Sequence, residues 1–506
     1  MRRASVLRLT LALQAALLGA ACTFDPAKPH PLKTRRTQVA HLLRRAGFGA
    51  SKEMLDEYEA LGLTGAVDRL VDYETVEDEV EERIKPFNLD LKKLGDLQRW
   101  WLLRMIYTKR PLQEKMVLFW HGLLTSATGK VGLPNPTPQN PDPPHYMLDQ
   151  HNFFRQHATA DFETMLLGIS RDPAMMIWLD SQTNNKGKPN ENYARELLEL
   201  FSLGITGSDG RPNYTEQDVR EVARAFTGWG LDKGKFIFRL NNHDTGLKTI
   251  LGKTASFNGA DVVKHLVQQP AAAYYLSRRL FEFFVHPHPS QKDLQPLVTA
   301  YTRSKGDVKA MLRALFTSPA FYSPAAYRSK IKSPVEFVVG AIRNLGVATD
   351  GFQMAGYTTR MGQALFNPPN VAGWPGGANW ITSTTWMERI NFCNFLVTAR
   401  TDGHTTSPPF EAITRREGLS RPEAIVDYFG DVLLDGQIAP KMRQTLLAYL
   451  TDKPVEAVPL AKGMAAIAGK GLASAPQAKP LLPAYVDQKV RGLAYLLLAS
   501  PEYQLA

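Results

Sequence analysis

Short runs with helical apolar spacing, each halted by glycine or by a polar–proline step, recur along nearly the whole of this 506-residue chain. Residues 96–107 set Trp100, Trp101, Leu103 and Ile106 at helical spacing. Pro111 then suits the first turn of a helix that reaches Leu124. Comparable runs predict helices at 151–157, 162–170, 173–179, 191–203, 261–268, 271–284, 292–303, 307–317, 334–345, 356–366, 386–399 and 487–499. Thr215, with Asp218 three residues later, predicts a capped helix start running to about Phe226. The series predicts a mainly α fold, one large irregular helical domain. A small β-hairpin insertion is the exception, with 235–240 and 248–251 flanking Asn241-Asn242-His243-Asp244.

The helix stops also suggest an internal recurrence. Asp161-Phe-Glu-Thr-Met165, Asp307-Val-Lys-Ala-Met311 and Lys489-Val-Arg-Gly-Leu493 each lead, after twelve residues, to a proline: Pro173, Pro319 and Pro501. The residue before proline disfavours α conformation, so the chain turns there. The copies are unevenly separated, so a solenoid of fixed period is excluded. A reused packing unit and convergent stop chemistry both fit. A Pro- and Asn-rich loop spans 129–145, and 457–483 is rich in Gly, Ala and Pro. The resulting division is 1–21 signal peptide, 22–36 leader, 37–400 helical domain and 401–506 C-terminal helical region.

Arg2, Arg3 and Arg8, an apolar stretch from Leu9 to Leu18, and Gly19-Ala20-Ala21 have the order of an export signal. Cys22 follows directly, where a lipoprotein would be acylated, although Gly19 stands where leucine is preferred. Lipidation at Cys22 and simple cleavage near Ala21 both fit, and either places the mature protein in the envelope or outside the cell. If Cys22 is lipidated, Cys393 is left without a disulfide partner, and stability falls to packing. The formal net charge is +11, and +8 once Arg2, Arg3 and Arg8 are removed with the first 21 residues. The charge is dispersed, which suits a basic surface or long-range attraction to an anionic envelope polymer. An exported chain without a reading motif argues against nucleic acid.

The densest polar block runs from Asn190 to Gly204. On a helix, Asn192, Arg195, Glu196 and Glu199 form one stripe with Glu191 at its edge, and Arg195 and Glu199 are spaced as an i,i+4 pair. The next helix adds Asp218, Arg220, Glu221 and Arg224. Carboxylates facing each other across two helices can share a proton or hold a divalent metal. As acid/base groups, Glu191, Glu196 and Glu199 are candidates, with Arg195 and Arg224 binding an anion or tuning them. His121, His243 and Asp244 are candidate metal ligands if the fold joins them, with Lys248 nearby for binding; local spacing signals no zinc site. Trp374 and Trp380, in a Pro/Gly loop, fit either a stacking platform or a core plug. Neither Gly-x-Ser-x-Gly nor a Walker A motif is present.

Seven blocks in series resemble the domain of unknown function 1800 family: His41-Leu-Leu-Arg-Arg-Ala-Gly-Phe-Gly49, Phe119-Trp-His121, Asn190 to Gly204, Tyr214 to Trp229, His243-Asp244 with Lys248 to Gly252, Lys332-Ser-Pro-x-Glu336, and Pro368-Pro-Asn-Val-Ala-Gly-Trp374. The resemblance implies a bacterial, usually exported, mostly helical protein. It also implies, as a partner, a sulfatase-like protein of the domain of unknown function 1501 family, and it brings no catalytic residues. Two functions follow as expectations: a carboxylate- or metal-dependent hydrolase of an envelope polymer, or a non-catalytic envelope protein that binds or positions an enzyme or polymer.

Overall fold

Short polar caps and prolines set where the helices begin. Thr34, Ser51, Asp161, Asp172, Thr215, Asn258, Ser290, Asp307 and Ser333 each accept a hydrogen bond from a first-turn amide. Prolines open the helices Pro111–Leu123, Pro173–Trp178, Pro270–Phe284, Pro334–Asn344 and Pro422–Leu434. The computed structural model describes residues 30–137, 140, 143–398, 406–451 and 483–506. Cys22, the export signal and nearly all of 457–483 lie outside the described residues.

Helix ends are closed by long cations reaching over from other elements. Arg45 donates to the carbonyls of Phe284 (2.8 Å) and Val285, and Lys330 to those of Glu282 (2.6 Å) and Phe283, at the end of Pro270–Phe284. Arg343 does the same for Met105, Ile106 and Thr108 at 2.8–3.2 Å, closing Leu94–Tyr107. Arg328 reaches Leu434 O at 2.8 Å and Arg491 reaches Val397 O at 2.7 Å. The last carbonyls of a helix have no intrahelical donor and carry partial negative charge, so a cation there satisfies both needs.

The fold is mainly α. One continuous apolar core runs from Val39 to Tyr503 and includes the fully enclosed Trp101, Trp120, Phe154, Phe162, Phe281 and Phe316. The C-terminal helix Pro483–Leu498 packs on Ser383–Thr398 and Pro422–Leu434, and Val490, Leu493 and Leu497 enter that core. Trp380 belongs to a separate small cluster with Ile331, Ile381 and Leu505, as a plug would. Among the described residues, no helix is long and apolar enough to cross a membrane.

The insertion differs from the expected hairpin. Trp229–Asp232 pairs with Lys235–Phe238, and Lys248–Ile250 pairs with Lys253–Ala255, giving two hairpins in place of one. Each turns on a Lys-Gly or Leu-Gly step, Lys233-Gly234 and Leu251-Gly252, with all four residues at positive φ, the signature of a tight two-residue turn. The segment Asn241 to Asp244 links the two hairpins.

The suspected recurrence has a spatial counterpart in two copies. Asp161 and Asp307 form an antiparallel bridge, and each caps its own helix, Asp161 on the Thr164 amide and Asp307 on the Ala310 amide, both at 2.8 Å. Ser318 and Ser500, each before a proline, accept from the amides of Phe321 and Tyr503 at 3.3 Å.

Candidate functional site

The helix pair expected to hold the acid/base groups is present, but a π-turn changes its geometry. Asn192–Glu196 is α-helical and Leu197–Ser202 is π-helical, with the Leu203 amide bonded to Leu198 O at 3.0 Å. The wider turn rotates Glu199 away from Arg195, so the expected Arg195–Glu199 pair does not form. Arg195 instead grips Glu216 with two 2.8 Å bonds and touches Glu191 at 3.4 Å, while the Tyr214 hydroxyl donates to Glu199 at 3.0 Å. Glu196 is half-buried, and burial with the neighbouring Glu199 charge raises its pKa above the ordinary range.

On the second helix, Glu216–Ala225, the charges hold the insertion in place. Arg224 donates to Asp244 at 2.8 and 3.2 Å, to Glu221 at 2.7 Å and to Leu247 O at 3.2 Å. Its hydrogen bonds pull the Asp244 carboxyl down to about 2. Lys248 is buried and spends its ammonium on the carbonyls of Asp244 and Gly246. Asp218 accepts from the Thr215 and Leu251 amides, and His243 Nδ1 pairs with Thr227 O at 2.8 Å under the Phe238 ring. Arg224 and Lys248 are thus committed to the fold.

His121 lies elsewhere, in an aromatic chamber. Its ring centroid is 5.4 Å from Trp101, 5.7 Å from Phe366 and 5.5 Å from Trp374. His151 approaches the same Trp101 and Phe366 rings at 4.4 and 5.3 Å. Burial drives His121 down to about 3, and among the described residues its Nε2 has no hydrogen-bond partner, nor has His151 Nδ1. His151 Nε2 pairs with Arg155 Nη2 at 2.6 Å; since arginine only donates, Nε2 accepts and Nδ1 carries the proton. Beneath the chamber, Glu114 accepts from Trp101, Arg104 and Arg155. Trp374 covers the chamber from a loop in which Gly373 (φ 81°) passes so close to helix Pro111–Leu123 that a Cβ would sit 2.4 Å from Gly122 O. Phe366 holds φ at 61°, an uncommon conformation for a bulky residue. Among the described residues no group of three or more His, Cys, Asp or Glu could hold a metal ion, so His121, His243 and Asp244 are not brought together as one.

A third cluster was not anticipated. Glu336, third residue of Pro334–Asn344, accepts from the Ser333 amide at 2.8 Å and pairs with Lys115, which is fully buried. Burial alone would raise its pKa, but Lys115 and Lys330 overcome that and hold Glu336 at about 2. Arg45, Lys330, Lys332 and Arg389 surround this carboxylate; burial lowers Arg45 to about 9, Lys330 to about 7 and Arg389 to about 10. Arg389 donates to Lys332 O (2.8 Å) and Gln504 Oε1 (3.1 Å).

The cluster joins His41 to Gly49 with Lys332 to Glu336, and the chamber joins Phe119-Trp-His121 with the loop ending at Trp374. A family described as "Protein of unknown function (DUF1800)" matches residues 41–505. The chain belongs to the DUF1800 family. No curated protein and no solved structure matches it. In this DUF1800 chain four of the blocks that resemble the family are therefore contact points between distant segments, while Asn190 to Gly204, Tyr214 to Trp229 and His243 to Gly252 join one another as sequence neighbours. The sequence signal for the third cluster was available in Arg44-Arg45 and Lys332-x-x-x-Glu336, charges set among apolar residues. Local spacing could not join positions about three hundred residues apart.

Proposed function

We propose that this chain is an exported, non-catalytic envelope protein that binds an anionic polymer through the face built by its hairpin insertion. The observation that supports this reading is the character of that face. Phe238, Leu240 and Leu247 are 46, 64 and 68 % exposed, unusual for large apolar side chains set so close in sequence. Lys186, Lys188, Lys233 and Lys235 stand exposed on the same insertion and its neighbouring loop, with no carboxylate partner among the described residues. The loop and the insertion are tied together, Lys186 N to Asn242 O and Asn242 Nδ2 to Asn185 Oδ1, both at 2.9 Å. The Arg224–Asp244–Glu221 network holds this face in one conformation before binding, which lowers the ordering cost of association. Export is part of the proposal and rests on the order of residues 1–22. A sulfatase-like partner of the domain of unknown function 1501 family would then be positioned at the same polymer.

The test is co-sedimentation of the mature protein with alginate gel and with uncharged agarose. Retention on alginate alone, falling steeply with added salt, is expected. The combined Lys186→Glu, Lys188→Glu, Lys233→Glu and Lys235→Glu variant should melt as the parent does and lose retention. Equal retention on both gels, or by the variant, sinks the reading.

One observation favours a hydrolase as a second reading. Burial and Glu199 raise Glu196, the direction a general acid needs. If so, Glu196→Gln abolishes turnover of an envelope polymer while the melting temperature holds.

A further inference from the structure

A small, partly open cavity lies beside the third cluster, lined among others by Arg44, Phe48, Lys332, Glu336 and Asn344. It has room for about one water-sized species. Lys332 is 5 % exposed, and its ammonium makes no hydrogen bond among the described residues; it lies 3.4 Å over the Tyr503 ring. Arg44 Nε and Asn344 Oδ1 are buried without hydrogen-bond partners among the described residues.

The charge count around the cavity is uneven. Arg44, Arg45, Lys115, Lys330, Lys332 and Arg389 are set against Glu336 and Asp435. Asp435 is taken by Arg44. Glu336 has one oxygen on Lys115 and the other on the Ser333 amide, so neither is directed to Lys332. Arg45 and Lys330 are partly offset by the carbonyls that end Pro270–Phe284, and Arg389 by Lys332 O and Gln504. Lys332 has the face of the Tyr503 ring and the more distant charges of Asp435 and Glu336, but no hydrogen-bonded counterion among the described residues. A buried, unpaired charge is among the costliest features a fold can hold.

We propose that this cavity is a halide site, occupied by chloride, with Lys332 Nζ and Arg44 Nε as its donors. A monatomic anion matches the available space; phosphate and carboxylates do not. Water would serve Arg44 Nε and Asn344 Oδ1 but would give Lys332 no counterion beyond the Tyr503 ring. Lys332 is buried and the Arg44 side chain nearly so, and such surroundings strengthen the attraction at this position.

The test is thermal melting of the full mature chain as sodium chloride replaces sodium gluconate at constant ionic strength. Chloride should raise the melting temperature by a few degrees and saturate. Lys332→Met should melt cooperatively and show no chloride-specific rise. Crystals soaked in sodium bromide should show an anomalous peak between Lys332 and Arg44, which decides the matter even if the variant fails to fold. Identical melting in the two salts, a retained chloride rise in Lys332→Met, or no bromide peak in the cavity overturns the proposal.

Discussion

Replacing Glu336 with glutamine probes the buried cation cluster directly. Glutamine retains the capping-box contact with Ser333, since either side chain serves at that position. What is lost is the charge facing Lys115, whose ammonium is fully buried over the rings of Phe48 and Phe283 at 4.9 and 5.5 Å. A carboxyl held at about 2 in place of its ordinary 4.5 stabilises the fold by roughly 3 kcal/mol at neutral pH, taking about 1.4 kcal/mol per tenfold. Removing one partner of a buried pair costs about 3–5 kcal/mol by the same logic, because the other charge stays behind. The folded pKa is depressed, so this stability is present above the unfolded value and is lost as pH falls from about 5 to about 2. Urea unfolding followed by tryptophan fluorescence should therefore show a variant several kcal/mol weaker at neutral pH, with the gap to the parent closing on acidification. A loss under about 1 kcal/mol at neutral pH, or a gap that stays constant with pH, refutes the reasoning.

Asp172 is raised by burial to about 7, so its native state holds the proton more tightly and stability declines as pH rises from about 4 to about 7. Asp172→Asn, which can still accept from the Met175 amide, should flatten that decline in melting scans. Gly373→Ala meets both a positive φ and Gly122 O, and should cost about 2 kcal/mol or more, with a change in Trp374 fluorescence. His121→Leu removes a buried imidazole with an unpaired nitrogen and should leave the melting temperature equal or higher; a fall of more than about 4 °C would mean that the imidazole has a partner in solution.

Helix starts were legible because they are local: Thr215 and Asp218 form the capping box their spacing suggests, and Pro334 opens its helix behind Ser333. The π-turn at Leu197–Ser202 was not, since its residues are ordinary helix formers. Its closure uses Ser202 Oγ on Leu197 O and Tyr275 on Leu200 O, contacts that depend on packing. The hairpin pairing failed for a local reason. Lys233-Gly234 and Leu251-Gly252 adopt left-handed turns without the asparagine or aspartate that usually marks them. For the sites, the Arg224–Asp244 contact joins two blocks to which the sequence assigns separate roles. His151 could not be matched with His121, because both are defined by Trp101 and Phe366, which come from other parts of the chain.

The fold also changes what the basic composition means. A dispersed net charge suggests a cationic surface throughout, yet Arg45, Lys115, Lys248, Lys332 and Arg389 are buried, and Arg45, Lys248, Arg328 and Arg343 are engaged with carbonyl oxygens. Part of the positive charge is thus structural, and Arg45, Arg328 and Arg343 answer helix C-termini whose last carbonyls lack backbone donors. On the proposed reading, attraction of an outside polymer would fall to cations not used in this way, such as Lys186, Lys188, Lys233 and Lys235, which are exposed and without carboxylate partners among the described residues. Removing those four charges should therefore weaken polymer binding far more than removing four lysines or arginines from elsewhere on the surface. Equal losses would mean that binding follows total charge, and would deny the insertion a specific role.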